Sequence, residues 1–417
     1  MLVLPVLVLA VLVLAVLTGA SGTALGEPAV RRGACEPVAY EQDPAAATSD
    51  DDEEADDSAT ADNASIGVAH GEDGCATISG SLAAIGTHTR PRLDSPVLQA
   101  LGGAPFSTLQ LGGTATLTTA RTVGGVFVGS TVSVIGFTHP VPQLLFAEAS
   151  LRIDRLQFGY GLSRFSFWSV DLFTSSLLSA GRTTAFLAFD LVRPRPWSLT
   201  LVLEDPNLPG AGTADVPPLL PGFQPQPYAP RKVPDIILRT RYETDALSLH
   251  LAGAIRPQHA SEATGPGFAF TIGGSWSFTL AGVAQTVSGQ AMFASDMPTY
   301  LGTNFEARTV RSLIRPGDRT YGASGVLSWQ QDWTPQWSTG LIASHIVIAF
   351  PGLGPTGGSF VSTRVGANIT YRPLPSTRVS LELAQAWSRV NLPDRLLPLV
   401  QTSGRATVVT LATAVSF

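Results

Sequence analysis

Lysine is nearly missing: Lys232 is the only one, so 25 of the 26 basic residues are arginine. Charge is scarce altogether, 14% of the 417 residues against roughly 25% in ordinary soluble proteins. With a mean hydropathy of +0.22, that scarcity excludes a long polar disordered chain and a basic nucleic-acid binder. After an apolar run at Met1 to Leu17, no stretch approaches a membrane helix. The six histidines (His70, His88, His139, His250, His259 and His345) stand in no nucleophile elbow, zinc spacing or phosphate loop. No catalytic site, metal site or cofactor is therefore predicted. A hydrolytic Ser–His pair assembled from different strands would need His250, which the strand register turns inward.

Met1 to Leu17, followed by small residues around Ala20 to Gly26, has the form of a secretory signal, although no positive charge precedes the apolar stretch. The alternative is an uncleaved anchor at the short end of a spanning helix. Only two cysteines exist, Cys35 and Cys75. In an exported chain an even pair reads as a disulfide rather than a metal site or nucleophile, and closing a loop of about 40 residues would contribute about 4 kcal/mol.

The bridge would tether an unusual segment. Glu41 to Asp73 holds 12 acidic residues and no Lys or Arg, so the net charge of −6 hides a remainder at +6. The run Asp50 to Asp62 reads as a solvated loop. Weak divalent binding and contact with a basic pore mouth are the other readings, and no calcium-loop spacing is present. The organisation predicted is a signal over 1–26, a disulfide-tethered acidic segment over 27–73 and a barrel over 74–417.

From Cys75 onward the chain is a series of period-two segments punctuated by Gly, Pro, Asn and Asp, the pattern of antiparallel strands. In Val361 to Arg372, Val361, Thr363, Val365, Ala367, Ile369 and Tyr371 face one way and Ser362, Arg364, Gly366, Asn368, Thr370 and Arg372 the other. Leu247, Leu249, Leu251 and Ile255 oppose Ser248, His250, Ala252 and Arg256 in the same manner. The polar face carries Arg, Ser, Thr, Ala and Gly instead of the Lys and Glu of a soluble sandwich.

Fifteen such segments can be drawn, with Thr303 to Val310 as the candidate for a sixteenth. One of the fifteen, 144–158, contains Arg152, Asp154 and Arg155, which cannot share one face of a regular strand, so a bulge is predicted there. Roughly 340 residues from Cys75 to Phe417 suit sixteen spans of about 9–11 residues, short turns alternating with longer loops. The fold class predicted is all-β, a transmembrane antiparallel β-barrel, wide enough to leave an aqueous channel. Most tryptophans fall near segment ends, where interfacial girdles form. Asp205 to Pro234 reads as a long Pro-rich loop.

Several pieces in order resemble the general porins of alphaproteobacterial outer membranes: Cys35-Glu-Pro-Val-Ala-Tyr40; Gly74-Cys75 leading into a strand; Arg164-Phe-Ser-Phe-Trp-Ser-Val-Asp171; Leu201-Val-Leu-Glu-Asp-Pro206; Val233-Pro-Asp-Ile-Ile-Leu-Arg-Thr-Arg-Tyr242; and the terminal Phe417. The acidic stretch, His70-Gly-Glu-Asp-Gly74 and the shortage of lysine depart from that pattern. The resemblance implies a sixteen-stranded homotrimeric outer-membrane barrel with its third loop folded inward, passing small hydrophilic solutes and ions. Its implied partners are outer-membrane lipids, lipopolysaccharide and the barrel-assembly machinery, the last reading the strand that ends at Phe417. The inward loop would be about Ser163 to Gly181, with Arg164 and Asp171 as its charged members.

Opposite that loop, lumen arginines are predicted at Arg239, Arg241, Arg364 and Arg372, with Arg152, Asp154 and Arg155 also assigned to the pore. Rings of charge at a constriction supply both filter and field, so a modest anion preference is predicted. A structural or adhesive barrel with a blocked lumen is the other reading.

Overall fold

A computed structural model of the chain describes residues 66–71, 74–94, 104–138, 142–167, 182–193, 196–207, 232–257, 265–302, 319–351, 357–391 and 402–417. The signal segment, Cys35, the acidic run, Trp168, Asp171, Thr303 to Val310 and the centre of the Pro-rich segment lie outside them.

Seventeen strands follow in chain order: β1 (Ile66–Gly71), β2 (Gly74–Leu93), β3 (Phe106–Val123), β4 (Val126–Phe137), β5 (Gln143–Ile153), β6 (Leu156–Leu162), β7 (Thr183–Val192), β8 (Trp197–Glu204), β9 (Asp235–Glu243), β10 (Leu247–Arg256), β11 (Gly267–Leu280), β12 (Val283–Ser295), β13 (Tyr321–Asp332), β14 (Trp337–Phe350), β15 (Gly358–Leu374), β16 (Thr377–Asn391) and β17 (Thr402–Ser416). From β2 to β17 each strand pairs antiparallel with its sequence neighbours, and β17 pairs with β2. The result is a closed sixteen-stranded barrel with no free edge.

The connections alternate in length. After β3, β5, β7, β9, β11, β13 and β15 they are short turns; after the even-numbered strands from β2 to β16 they are longer. Gly124-Gly125 (φ 57°, 80°) and Ala281-Gly282 (φ 52°, 80°) close two of the short ones, the positive φ pair that matches the twist of flanking strands.

Sixteen barrel strands are present as predicted, but the sixteenth arises differently. Segment 144–158 is two strands, β5 and β6, joined by the two-residue turn Asp154-Arg155 with Asp154 at φ 49°. This corrects the predicted bulge: three charged residues that cannot share one face are instead the end of a hairpin. A register shift in β5 does occur, earlier, where Ser133 pairs with Glu148 and Val134 with Phe146.

Alternation sets two surfaces. Leu109, Leu111, Leu249, Leu327, Leu381, Leu383 and Leu411 point outward and are exposed, while Thr200, His250, Thr271, Ser344, Asn368 and Thr370 on the same or paired strands point inward and are buried. Trp197, Trp276, Trp333 and Trp337 stand at the short-turn end, with Trp197 against Tyr242 (4.8 Å between centroids) and Trp337 against Tyr371 (4.6 Å). Trp387 stands toward the other end. An apolar outer band bounded by such amphipathic rings suits a bilayer, where a ring is half wet at the interface.

The two ends of the barrel sequence meet on β2. Gly80 and Phe417 exchange backbone hydrogen bonds of 2.8 and 3.0 Å. Beyond that point the β2 edge is taken over by β1, pairing Ile66 with Ile78 through Gly71 with Gly74. The Phe417 ring lies on Gly80, where an added Cβ would come within 2.6 Å of it. Cys75, in the β1-paired stretch, is disulfide-bonded.

Candidate functional site: the barrel interior

The third of the long connections runs from Leu162 to Thr183. Its first residues lie against the inner wall. Phe165 is fully buried, and its carbonyl is 2.8 Å from His250 Nε2, an inward side chain of β10. Phe167 sits on Gly273 of β11, where a Cβ would approach its own Cβ to 2.8 Å. A glycine at that inward position lets the aromatic ring rest on the backbone.

What holds both ends of the connection is a buried ionic cluster. Glu204 accepts from Ser163 Oγ (2.8 and 3.0 Å), from the Arg164 backbone N–H (2.7 Å) and from Arg182 Nη2 (3.4 Å). Asp235 accepts from Arg256 Nε (2.8 Å) and Nη2 (2.7 Å) and from Arg182 (3.3 Å). The Tyr300 hydroxyl lies among them, 2.9 Å from Asp235 Oδ2 and 3.2 Å from Glu204 Oε2, and accepts from Arg182 at 2.7 Å. Two guanidinium groups meet two carboxylates, so the group is neutral as a whole.

Buried charge costs heavily unless paired and hydrogen-bonded, and here each carboxylate accepts at least three donors. Tyr300 reaches the cluster because Pro298–Leu301 forms a 3-10 turn between β12 and β13 that folds into the barrel. Its ring takes Phe165 edge-on at 4.8 Å and the Arg182 guanidinium over its face at 4.6 Å. Burial foremost, then the Glu204 carboxylate, pushes the Tyr300 hydroxyl well above its ordinary value, so it stays a donor.

Around this cluster the interior is apolar. Phe165, Val202, Ile237, Ala252, Met297, Tyr300 and Leu301 form one buried core with Ile346 and Ile348 of β14. Sequence alternation had marked the inward faces as polar. The inward Val202 and Ile237 depart from that pattern because Phe165 and the 296–302 segment cover them.

Toward the short-turn side of the same wall lies a wetter basic group. Arg239 and Arg241 of β9 point inward, Arg239 reaching Thr200 at 3.3 Å and Arg241 reaching Glu243 at 3.3 Å and His250 Nδ1 at 3.5 Å. Arg164 lies 3.6 Å from Glu148 and 4.6 Å over the Phe186 ring. It is close enough to Arg239 and Arg241 for the three to repel one another. Of the pore residues predicted from sequence, these three come together.

The others are placed elsewhere. Arg152, Asp154 and Arg155 stand at the short-turn end, where Arg152 pairs with Asp190 at 3.0 Å and Asp154 with Arg193 at 3.1 Å. Arg372 is at that end too, 3.6 Å from Asp332. Arg364 is inward and buried on β15, with Glu382 of β16 as an electrostatic partner. Asp171 is outside the described residues.

Sequence reasoning missed Glu204, Asp235, Arg182, Arg256 and Tyr300 as a unit. Glu204 and Asp235 stand inside Leu201 to Pro206 and Val233 to Tyr242, Glu204 as the last residue of β8 and Asp235 as the first of β9, at the two ends of one long connection. An inward carboxylate at each end of that connection, on two neighbouring strands, is the signal that could have found them.

No family model and no curated protein matches the sequence. Solved structures do. The outer membrane channel DcaP of Acinetobacter baumannii superposes with TM-score 0.61 at 12% identity, over 84% of this chain and 99% of that one. The anion-selective porin from Comamonas acidovorans gives 0.57 at 12%, over 83% and 100%. Salmonella typhi OmpF, in its complex with daunomycin, gives 0.51 at 10%, over 84% and 100%. At such identities the likeness is one of architecture: the chain has the sixteen-stranded barrel fold of these proteins.

Proposed function

We propose that the chain is an outer-membrane porin, a water-filled channel for passive diffusion of small hydrophilic solutes with a modest preference for anions. The observation that carries the reading is the grouping of Arg164, Arg239 and Arg241 on the inner wall of a closed barrel whose outer surface is apolar. Diffusion needs no bond making, so the chain is read as no enzyme; it needs a wet passage and a field across it. Guanidinium groups keep their charge when crowded by like neighbours. Glu148 and Glu243 beside them offset part of that field, which is why the preference is modest.

The fold of an anion-selective porin and the +6 remainder of the sequence support the same reading. The inward third loop, the alphaproteobacterial affinity, the homotrimer, the Cys35–Cys75 tether and recognition of the Phe417 strand by the assembly machinery belong to this proposal. Reversal potentials across a planar bilayer in a KCl gradient test it: chloride preference is expected, and a clear preference for K⁺ overturns the selectivity.

One observation favours a second reading. The 163–167 and 296–302 segments cover the inward faces of β8 to β11 with Phe165, Phe167, Met297, Tyr300 and Leu301. A barrel whose remaining lumen is closed as well would be structural. A purified, refolded protein that inserts into bilayers without conducting would establish that reading instead.

A further inference from the structure

Charge is spread unevenly around the interior. Arg164, Arg239 and Arg241 stand with Glu148 and Glu243 on one side, and Arg364, Arg372 and Glu382 mark β15 and β16 on another. Between those groups, among the described residues, no inward position of β17, β2, β3 or β4 holds Asp, Glu, Lys or Arg. Four adjacent strands present an uncharged wall.

Hydroxyl groups take the place of charge there. Register sets Glu148 of β5 beside Ser133, Ser133 beside Thr116 and Thr116 beside Ser79. Two residues nearer the short turns, Ser150, Thr131, Thr118 and Thr77 make a second row in the same way. Neighbours within a row are about 4.5–5.5 Å apart, and the rows are about 7 Å apart along each strand. Ser79, Thr116, Thr118 and Thr131 are half-exposed. Thr116 Oγ1 and Ser133 Oγ share one hydrogen bond of 2.9 Å, which uses one of two hydroxyl hydrogens and leaves the second, with spare lone pairs, over.

The rows run directly into the basic group. Arg164 lies 3.6 Å from Glu148, and Glu148 also accepts from Ser150 Oγ at 2.7 Å. Three guanidinium groups beside two carboxylates leave one net positive charge at the end of the rows. Toward the long connections, Phe165, Met297, Tyr300 and Leu301 cover the inner faces of β8 to β14. Among the described residues, the hydroxyl rows are the half-exposed polar face that adjoins the arginines.

We propose that this part of the interior is a site for polyhydroxylated monocarboxylates, the sugar acids, with the carboxylate on Arg164, Arg239 and Arg241 and the hydroxyl chain along the Thr116 and Thr118 rows. The proposal rests on the porin reading and names its solute class. A solute that enters sheds water. A chain of hydroxyls regains hydrogen bonds from the rows, whereas an aliphatic acid finds no partner there. Conduction also needs binding weak enough to leave, which neutral hydroxyls supply and a charged wall would not. One net positive charge matches one carboxylate; a phosphate monoester would set close to two negative charges against Glu148 and Glu243 as well as against the arginines.

The test is planar-bilayer recording of the full-length protein at low salt, where such charges are screened least. Potassium gluconate, potassium hexanoate, sorbitol or glucose 6-phosphate is added while the chloride current is read. Gluconate should reduce the current saturably, at concentrations about fivefold or more below those of the other three. Thr116→Val with Ser133→Ala should weaken the gluconate effect about fivefold, the worth of about one neutral hydrogen bond, and leave the hexanoate effect unchanged. A structural role alone would not separate the two acids. Thr286→Val, in the hydroxyl pair with Ser277 on β11 and β12, should change neither. Equal action of gluconate and hexanoate, equal action of gluconate and sorbitol, or no effect of the double variant overturns the proposal. Stronger action of glucose 6-phosphate also overturns it and assigns the site to phosphorylated sugars. Should the double variant not assemble, the wild-type comparison and Thr118→Val decide it on the same terms. Saturation-transfer NMR of the same protein in detergent separates this proposal from the porin reading. A conducting barrel that does not distinguish gluconate from hexanoate sinks this proposal alone, a silent barrel that binds gluconate above hexanoate sinks the porin reading alone, and a silent barrel that binds neither sinks both.

Discussion

Asp235→Asn removes one charge from the ionic cluster without changing the side chain's size, and the structure allows its effect to be sized. Asp235 accepts four donors: two from Arg256, one from Arg182 and one from Tyr300. Two of the losses are softened, because Arg182 and Tyr300 also reach Glu204 at 3.4 and 3.2 Å. The bidentate pair with Arg256 is not softened in this way. Breaking a buried pair from one side costs about 3–5 kcal/mol, so the open population of the segment it holds should rise between about a hundredfold and a few thousandfold. Arg182 is buried in the closed form and becomes a trypsin site when released.

The assay is limited trypsin digestion of the full-length protein, with cleavage after Arg182 followed by mass spectrometry. Faster cleavage in Asp235→Asn is expected, together with noisier single-channel conductance. Adding Arg256→Gln should restore part of the protection, since one cation then faces one carboxylate; the coupling between the two sites is the quantity that isolates the pair. Identical cleavage rates in wild type and Asp235→Asn would refute the claim that this cluster anchors the third connection. Tyr300→Phe, which keeps all four charges, offers a milder version if Asp235→Asn does not assemble.

Replacing Arg239 and Arg241 together by Gln should move the KCl reversal potential toward cation preference, and an unchanged potential would place the selectivity elsewhere. Gly80→Val should lower the temperature at which the folded barrel unfolds in detergent, because a Cβ there meets Phe417 Cζ at 2.6 Å and the Thr114 carbonyl oxygen at 2.5 Å, an overpacking worth about 1–3 kcal/mol; Gly86→Val, with its nearest neighbour at 3.9 Å, is the control. Tyr300 has its folded value raised, so its contribution is complete below the ordinary tyrosine value of 10.0 and is lost as pH climbs from there toward the folded value. Protection of Arg182 from cleavage by an alkali-tolerant protease should fall above that pH in wild type and be flatter in Tyr300→Phe.

Much of the architecture was legible because a half-buried strand writes period two into the sequence. Val361 to Arg372 has its predicted faces residue for residue, and the strand boundaries fall within a few positions of the predicted segments. The failure at 144–158 has a physical cause: Asp154-Arg155 contains neither Gly nor Pro, so a two-residue turn left no mark beyond the misfit of its charges. That misfit was correctly noticed and assigned to the wrong remedy. The cluster was less legible because its members come from five places in the chain, and no local pattern relates Tyr300 to Glu204. Arg239 and Arg241 were readable as inward from alternation alone, whereas Arg372 and Arg152 were readable as inward but not as distant in depth, since period two carries no coordinate along the barrel.

The arginine excess divides by environment into three uses of one functional group. Arg182 and Arg256 are buried and paired, and their forked donors let two side chains satisfy two carboxylates and one hydroxyl in a space where a lysine's point charge could not. Arg164, Arg239 and Arg241 crowd one another on the inner wall, where a group that gave up its proton would forfeit the field on which the proposed anion preference depends. Arg90, Arg92, Arg389 and Arg405 face outward near the long-connection end, with Arg389 Nε donating to Asn391 at 3.0 Å, at a depth where a barrel carries such charge cheaply. Lysine would serve the last use best and the first worst.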